Sequence, residues 1–441
     1  MKKILNICIA ACLVFTANAQ KINIPIVEYD LSNGLHVILH QDNSTPNVVV
    51  SLMYHVGSKD ENPDRTGFAH LFEHLLFEGS EHIGRGEYMK IVQANGGELN
   101  ANTSNDRTYY YELMPSNQLE LALWMESERM LHAKIDSAGI ATQKNVVIEE
   151  RKERMDNQQY GSFQEELFKR AFKEHHYKWP VIGDPEHIRN ATYKDVVDFY
   201  KMYYVPNNAV LVIAGDFQTE NAKKLIAKYF GDIPRGAQPL NRYSIVEKPL
   251  GGEIRDTVYD NITLPAVFIA YRSPAYGSKD FYVFEILNNI LSQGNSSRFK
   301  DNIDEKNKAT QTASLAMPLE NPGLTIILGI ANFGGNIKDT EDAINHEIDS
   351  IVNFYVSAEE LQKAIATKET EIVSEKSSIS NIAHTLAEYY TYFRNAKMIN
   401  NELSNYSNIT RDDIKRVAEK YLKPENRVVL HYLPKSMKKN K

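Results

Sequence analysis

The chain has 441 residues, with 50 Lys and Arg against 57 Asp and Glu, for a net charge of −7. An acidic balance disfavours nucleic acid as a partner and leaves no basic patch for a membrane surface. Its two cysteines, Cys8 and Cys12, both lie near the start, so the rest of the chain has neither disulfides nor thiolate metal sites available.

The first nineteen residues read as a signal peptide. Lys2 and Lys3 form the charged region, Ile4 to Thr16 the apolar run, and Ala17-Asn18-Ala19 a small-x-small cleavage site. The apolar run is too short for a membrane span. The expectation is a mature chain starting at Gln20, periplasmic or secreted, without cysteine. Its removal takes away two lysines and no acid, leaving 57 acids against 48 bases and a net charge of −9.

From Ile26 to His55 the pattern is that of strands, with Asn33-Gly34 as a hairpin turn and Val48 to Val56 as a buried strand. Residues 66–80, TGFAHLFEHLLFEGS, then read as a helix with two unlike faces. Phe68, Leu71, Phe72, Leu75 and Leu76 make one apolar stripe, and His70, Glu73 and His74 cluster opposite it. Gly79 is the expected C-cap. The spacing His-x-x-Glu-His sets two imidazoles one turn apart, able to share a zinc ion, with a carboxylate beside them. A carboxylate so placed can take a proton from water and pass it to a leaving amine, which is peptidase chemistry.

A short helix follows over 86–97, ending at Gly96-Gly97; ELNANTSNDRTYYYELM then reads as two strands around a polar turn. Gln118 to Leu131 and Ala141 to Met155 are helical. Catalytic zinc usually takes a third protein ligand. QKNVVIEERKERMDN offers Glu149, Glu150 and Glu153, of which Glu150 follows Val146 and Val147 at helical spacing and shares their inward face.

The chain also repeats itself. NATYKDVVDFYKMYYVPNNAVLVI, from Asn190, matches NITRDDIKRVAEKYLKPENRVVLH, from Asn408, at a constant offset of 218. Each copy carries a Thr-x-x-Asp helix start, a proline turn and a strand. The expected fold is α+β, with two homologous domains related by duplication, each a mainly antiparallel sheet packed with helices. The expected boundaries are a zinc-binding domain over 20–235, a linker over 236–252, and a homologous domain over 253–441 without the metal motif. That second half reads as a strand at Ala266–Tyr271, a helix at Phe281–Leu291 and a capped helix from Ser357.

GFAHLFEHLLFEG, GGELNANTSNDRTYYY and QKNVVIEER together resemble the inverzincin zinc peptidases of the pitrilysin/insulinase type. The chain's size matches the mitochondrial-processing-peptidase-like branch. The resemblance covers essentially the whole mature chain. It implies one Zn2+ per chain held by His70, His74 and Glu150, with Glu73 as general base. It also implies a substrate main chain paired against the strand carrying Asn100-Ala101. Two departures stand out. Where many members carry a glutamate seven residues before the third ligand, to support it, this chain has Gln143. The family also places an Arg and a Tyr from a C-terminal domain over the substrate. Arg298 matches the arginine, but Lys308-Ala309-Thr310 stands where Leu-Ala-Tyr is expected. The implied partner is a paralogous subunit supplying an Arg/Tyr pair, or a second copy of this chain. The reading is a zinc endopeptidase acting on peptides in an enclosed chamber. Its rivals are a non-catalytic or scaffold subunit on the same fold and a zinc hydrolase of non-peptide substrates.

Overall fold

The computed structural model describes residues 23–438. The expected leader, Cys8, Cys12 and the start at Gln20 lie outside the described residues. Two mixed sheets organise the chain, with strands numbered in chain order. The first runs β1 (Val27–Asp30), β2 (His36–Gln41), β6 (Ala209–Gly215), β3 (Asn47–Tyr54), β5 (Thr108–Pro115), β4 (Glu98–Thr103). The second runs β7 (Ile254–Asp260), β11 (Arg427–Pro434), β8 (Ala266–Arg272), β10 (Leu324–Ile330), β9 (Gln311–Ala316). Neighbours are antiparallel except β2 with β6 and β7 with β11. Apart from the added β1, the two sheets have one topology. Asn33-Gly34 does turn β1 into β2, with Gly34 at φ 90°.

The repeat is visible atom by atom. Thr192 and Thr410 cap the helices Tyr193–Tyr203 and Arg411–Tyr421, each in a reciprocal box with Asp195 or Asp413. After the proline turn, Asn208 Nδ2 donates to Tyr203 C=O and Asn426 Nδ2 to Tyr421 C=O, both at 2.8 Å. A side-chain amide closing the helix end over a proline turn explains why these two asparagines survive at the same offset.

Central strands are apolar on both faces because both faces are covered. In β3, Val48, Val50 and Leu52 face the helices of their own half, while Val49 and Met53 face the helix Ile379–Phe393 of the other half. That helix lays Ile382, Ala383, Leu386 and Ala387 on the first sheet. Reciprocally, the helix Phe163–Ala171 lays Leu167, Phe168 and Ala171 against Phe268, Val428, Leu430 and Tyr432 of the second sheet. The offset of 218 carries Phe163–Ala171 onto residues 381–389, inside the exchanged partner helix. Each half thus lends the equivalent helix to the other.

Residues 20–235 expressed alone are therefore expected to leave the outer face of the first sheet bare and to precipitate or unfold without cooperativity. Co-expression with 253–441 should restore a soluble complex with one sharp thermal transition. A cooperative transition from 20–235 alone would refute the exchange as a stability requirement.

Candidate metal centre

The motif helix is short, Phe68–Leu75, and Phe68, Leu71, Phe72 and Leu75 bury its apolar stripe as expected. The helix lies too deep for water to cap its ends. Buried side chains do so instead. At the N-terminus the Glu61 carboxyl, fully buried, accepts the N–H groups of Gly67 and Ala69, both at 2.9 Å. At the C-terminus Arg129 Nη1 donates to Leu76 C=O at 2.8 Å. Its guanidinium lies 4.5–4.8 Å from the ring centres of Phe77, Tyr88 and Tyr110 and pairs with Glu126 at 3.0 Å. The positive charge at the C-terminus matches the helix dipole, while burial raises the Glu61 carboxyl well above the ordinary carboxylate range. Gly79 is not the C-cap. The helix closes at Leu76, and Gly79, at φ 125°, turns the following loop, where a Cβ would meet Ile83 C=O at 2.7 Å. Glu61→Ala would strand two buried N–H groups. It is expected to cost about 2–4 kcal/mol in denaturant unfolding, and a change under 0.5 kcal/mol would contradict the capping role.

Glu150 comes from the helix Ser137–Arg151, which starts a turn earlier than expected because Asp136 caps it by accepting from Gly139 N–H. Val147 is buried, whereas Val146 is 42% exposed and lines the cleft, so the inward face is narrower than its sequence pattern suggests. The structure brings His70, His74 and Glu150 together. Nε2 of His70 lies 3.4 Å from Nε2 of His74, and Glu150 Oε2 lies 3.5 Å and 3.2 Å from them. Three donors bonded to one ion at about 2.0–2.1 Å in tetrahedral geometry stand about 3.3–3.4 Å apart. The triangle fits a zinc ion, and it is the group of this kind found among the described residues. Burial pushes the His70 imidazolium down to about 4, which keeps its ring neutral and its lone pair free. Glu150 Oε1 is held by Arg154 Nη1 at 3.1 Å. Arg154 sits in a π-turn, Lys152–Asp156, that continues the helix. Its i+4 spacing from Glu150 was the available signal for it. Glu149 pairs with Lys152, and Glu153 lines the cleft without joining the triangle.

Glu73 faces the same cleft, a space of about 1100 Å³ whose lining residues all fall between His70 and Ile182. Its Oε2 accepts from Thr103 Oγ1 at 2.6 Å, and burial raises its carboxyl above the ordinary range. Tyr110 OH donates to Phe72 C=O at 3.0 Å, tying the motif helix to the sheet beside it. β4 is the free edge of the first sheet, and Asn100, Ala101, Asn102 and Thr103 line the cleft along it. The Ala101 N–H is satisfied by Asn100 Oδ1 at 2.8 Å rather than by a neighbouring strand.

Residues 36–185 match the family model described as Insulinase (Peptidase family M16), and residues 190–368 match Peptidase M16 inactive domain. The chain belongs to peptidase family M16. Among M16 relatives, the zinc protease PqqE of Helicobacter pylori is 29% identical over 89% of each chain. A mitochondrial-processing peptidase subunit beta of Lentinula edodes is 24% identical over 89% of this chain and 86% of its own. The crystal structure of a protease from Helicobacter pylori superimposes with a TM-score of 0.89 at 26% identity, covering 93% of this chain and all of that one. The M16 inactive-domain match begins in the last helices and strand of the first half, runs through much of the second, and contains no His-x-x-Glu-His.

Against the M16 pattern, two residues sit apart from the triangle. Gln143 Nε2 donates to Glu78 Oε1, and Glu78 in turn pairs with Arg85 at 2.6 Å. Gln143 makes no hydrogen bond to His70, His74 or Glu150. Arg298 lies in the second half, where Nε donates to Glu360 Oε1 at 2.7 Å and Nη1 to Ser350 Oγ at 3.2 Å. Glu360 is the same residue that closes the capping box with Ser357, so it holds a helix start and a guanidinium together. Thr310 bonds to Ala331 C=O at 3.2 Å, and neither it nor Arg298 lines the cleft. Among the described residues no helix is long and apolar enough to cross a membrane.

Proposed function

We propose that this chain is an exported zinc-dependent endopeptidase that works with a second subunit. The observation that carries the reading is the triangle of His70 Nε2, His74 Nε2 and Glu150 Oε2, with edges of 3.2–3.5 Å and Glu73 beside it. When bound, one Zn2+ supplies Lewis-acid polarisation of the scissile carbonyl. The chain's own residues do the rest. Glu73 accepts the proton of the attacking water and returns it to the leaving amine. The β4 edge, at Asn100 and Ala101, takes the substrate main chain as an added strand, which suits cleavage within a peptide of varied sequence. Gln143 supports the metal helix indirectly, through Glu78. The proposed domain boundary is the stretch 236–252, within a span free of helix and strand between Phe230 and Ile254. Export to the periplasm or beyond rests on the leader and the start at Gln20.

The rival reading, a non-catalytic subunit on the same fold, draws on the inactive-domain match at 190–368. Metal analysis of the purified mature chain beside cleavage of an end-blocked fluorogenic peptide separates the two. One zinc per chain and chelator-sensitive internal cleavage, enhanced by a partner chain, are expected. A chain without zinc, inactive under every pairing, would establish the rival.

A further inference from the structure

Thr103 occupies an unusual double position. It ends β4, opposite Thr108 in β5, and the hairpin bond from Ser104 N–H to Arg107 C=O, 2.9 Å, fixes the register. In an antiparallel ladder, residues alternate between bonded and non-bonded pairs. With Ser104 and Arg107 bonded, Asn102 and Asn100 also turn their N–H and C=O inward to β5. Ala101 and Thr103 therefore turn theirs off the free edge, where an added strand would pair. The side chains alternate as well, so Ala101 and Thr103 share the face that meets the motif helix. Ala101 packs there against the core, and Thr103 Oγ1 reaches Glu73 Oε2 at 2.6 Å. Among the described residues Glu73 Oε1 has no hydrogen bond, and Thr103 is the one hydrogen-bond partner of the carboxylate.

We propose that Thr103 is the positioning residue of the general base: its backbone takes the substrate strand while its hydroxyl fixes the Glu73 carboxylate, so that peptide pairing at the edge and orientation of the base are set by one residue. The inference rests on the peptidase reading for its consequence, though the contact itself stands without it. A hydroxyl donating to one carboxylate oxygen leaves the other free to face the water in the cleft. Without that donor the carboxylate of a residue with three rotatable bonds loses its one anchor, and the fraction of time spent in the productive orientation falls.

The experiment uses the full mature chain with whichever partner gives peptidase activity. Thr103→Val keeps the shape of the side chain and removes the donor. It should lower kcat by about 10-fold, in keeping with the loss of a hydrogen bond to a charged group, with zinc content and KM unchanged. Thr103→Ser should restore kcat to within about threefold. A raised KM with unchanged kcat would reduce Thr103 to a strand residue and overturn the proposal, as would a valine variant within twofold of the parent. A second readout needs no activity. In a double-mutant cycle of thermal unfolding on the metal-free protein, Thr103→Val and Glu73→Ala, each of which removes the contact, should lower Tm together by less than the sum of their separate shifts. Additive shifts would overturn the contact. Full activity in Glu73→Gln would instead overturn the peptidase reading, and the cycle would still decide whether Thr103 holds Glu73.

Discussion

Glu73→Gln is expected to bind one zinc per chain as the parent does and to lose peptide turnover by about 10²–10⁴-fold, the usual share of a general acid–base residue. The substitution keeps the length and shape of the side chain, and the amide oxygen can still accept from Thr103 Oγ1. What it cannot do is take a proton. His70→Ala, His74→Ala and Glu150→Ala should behave differently, each losing zinc outright or binding it far more weakly. Each removes one corner of the triangle rather than a group beside it. Metal analysis and a peptide assay on the same four preparations distinguish the two classes. Near-normal turnover in Glu73→Gln would mean that another group moves the proton, and a zinc content unaffected by Glu150→Ala would mean that the third ligand lies elsewhere.

The parts of the fold and site that could be read from the sequence are those decided locally. His70, Glu73 and His74 sit on one short helix, so period alone put them on one face, and the structure keeps them there. The Asn33-Gly34 turn and the two Thr-x-x-Asp starts depend on contacts within four residues, and each forms where expected. Glu150 is less clearly marked among three nearby glutamates. Val146 and Val147 together place it on an inward face by period, yet only Val147 is buried and Val146 lines the cleft, so the family pattern carries more of the assignment. What could not be read is what depends on distant chain. Glu61 caps the motif helix across a loop, and Arg129 reaches Leu76 from 53 residues away. A buried arginine among three aromatic rings looks, in sequence, like any surface arginine. The exchange of Phe163–Ala171 for Ile379–Phe393 is likewise invisible, since an amphipathic helix does not state which sheet receives it.

The purified chain, alone, is expected to hold zinc and yet cleave peptides slowly, with a subunit carrying an Arg/Tyr pair raising turnover by about 10²–10³-fold. That factor is the usual loss on removing one donor to a developing oxyanion. The cleft gives the physical reason. Its lining residues all fall between His70 and Ile182, so the second half contributes nothing to it. Arg298, the expected clamp residue, is already engaged by Glu360 and Ser350. Thr310 stands where a phenol would be needed, with its hydroxyl committed to Ala331 C=O. A carbonyl bound at the β4 edge would thus gain charge during attack with no arginine or tyrosine of this chain's second half nearby. A second copy of the chain would bring another Arg298 and another Thr310, leaving the phenol still missing, and homodimerisation should therefore restore less than a paralogous chain. The comparison is of one fluorogenic peptide with the chain alone, at dimer-forming concentration, and co-expressed with a paralogue that lacks His-x-x-Glu-His but retains the Arg/Tyr pair. Full activity from a sample shown by light scattering to be monomeric at the assay concentration would sink the shared site, and would require an oxyanion donor from within residues 70–182.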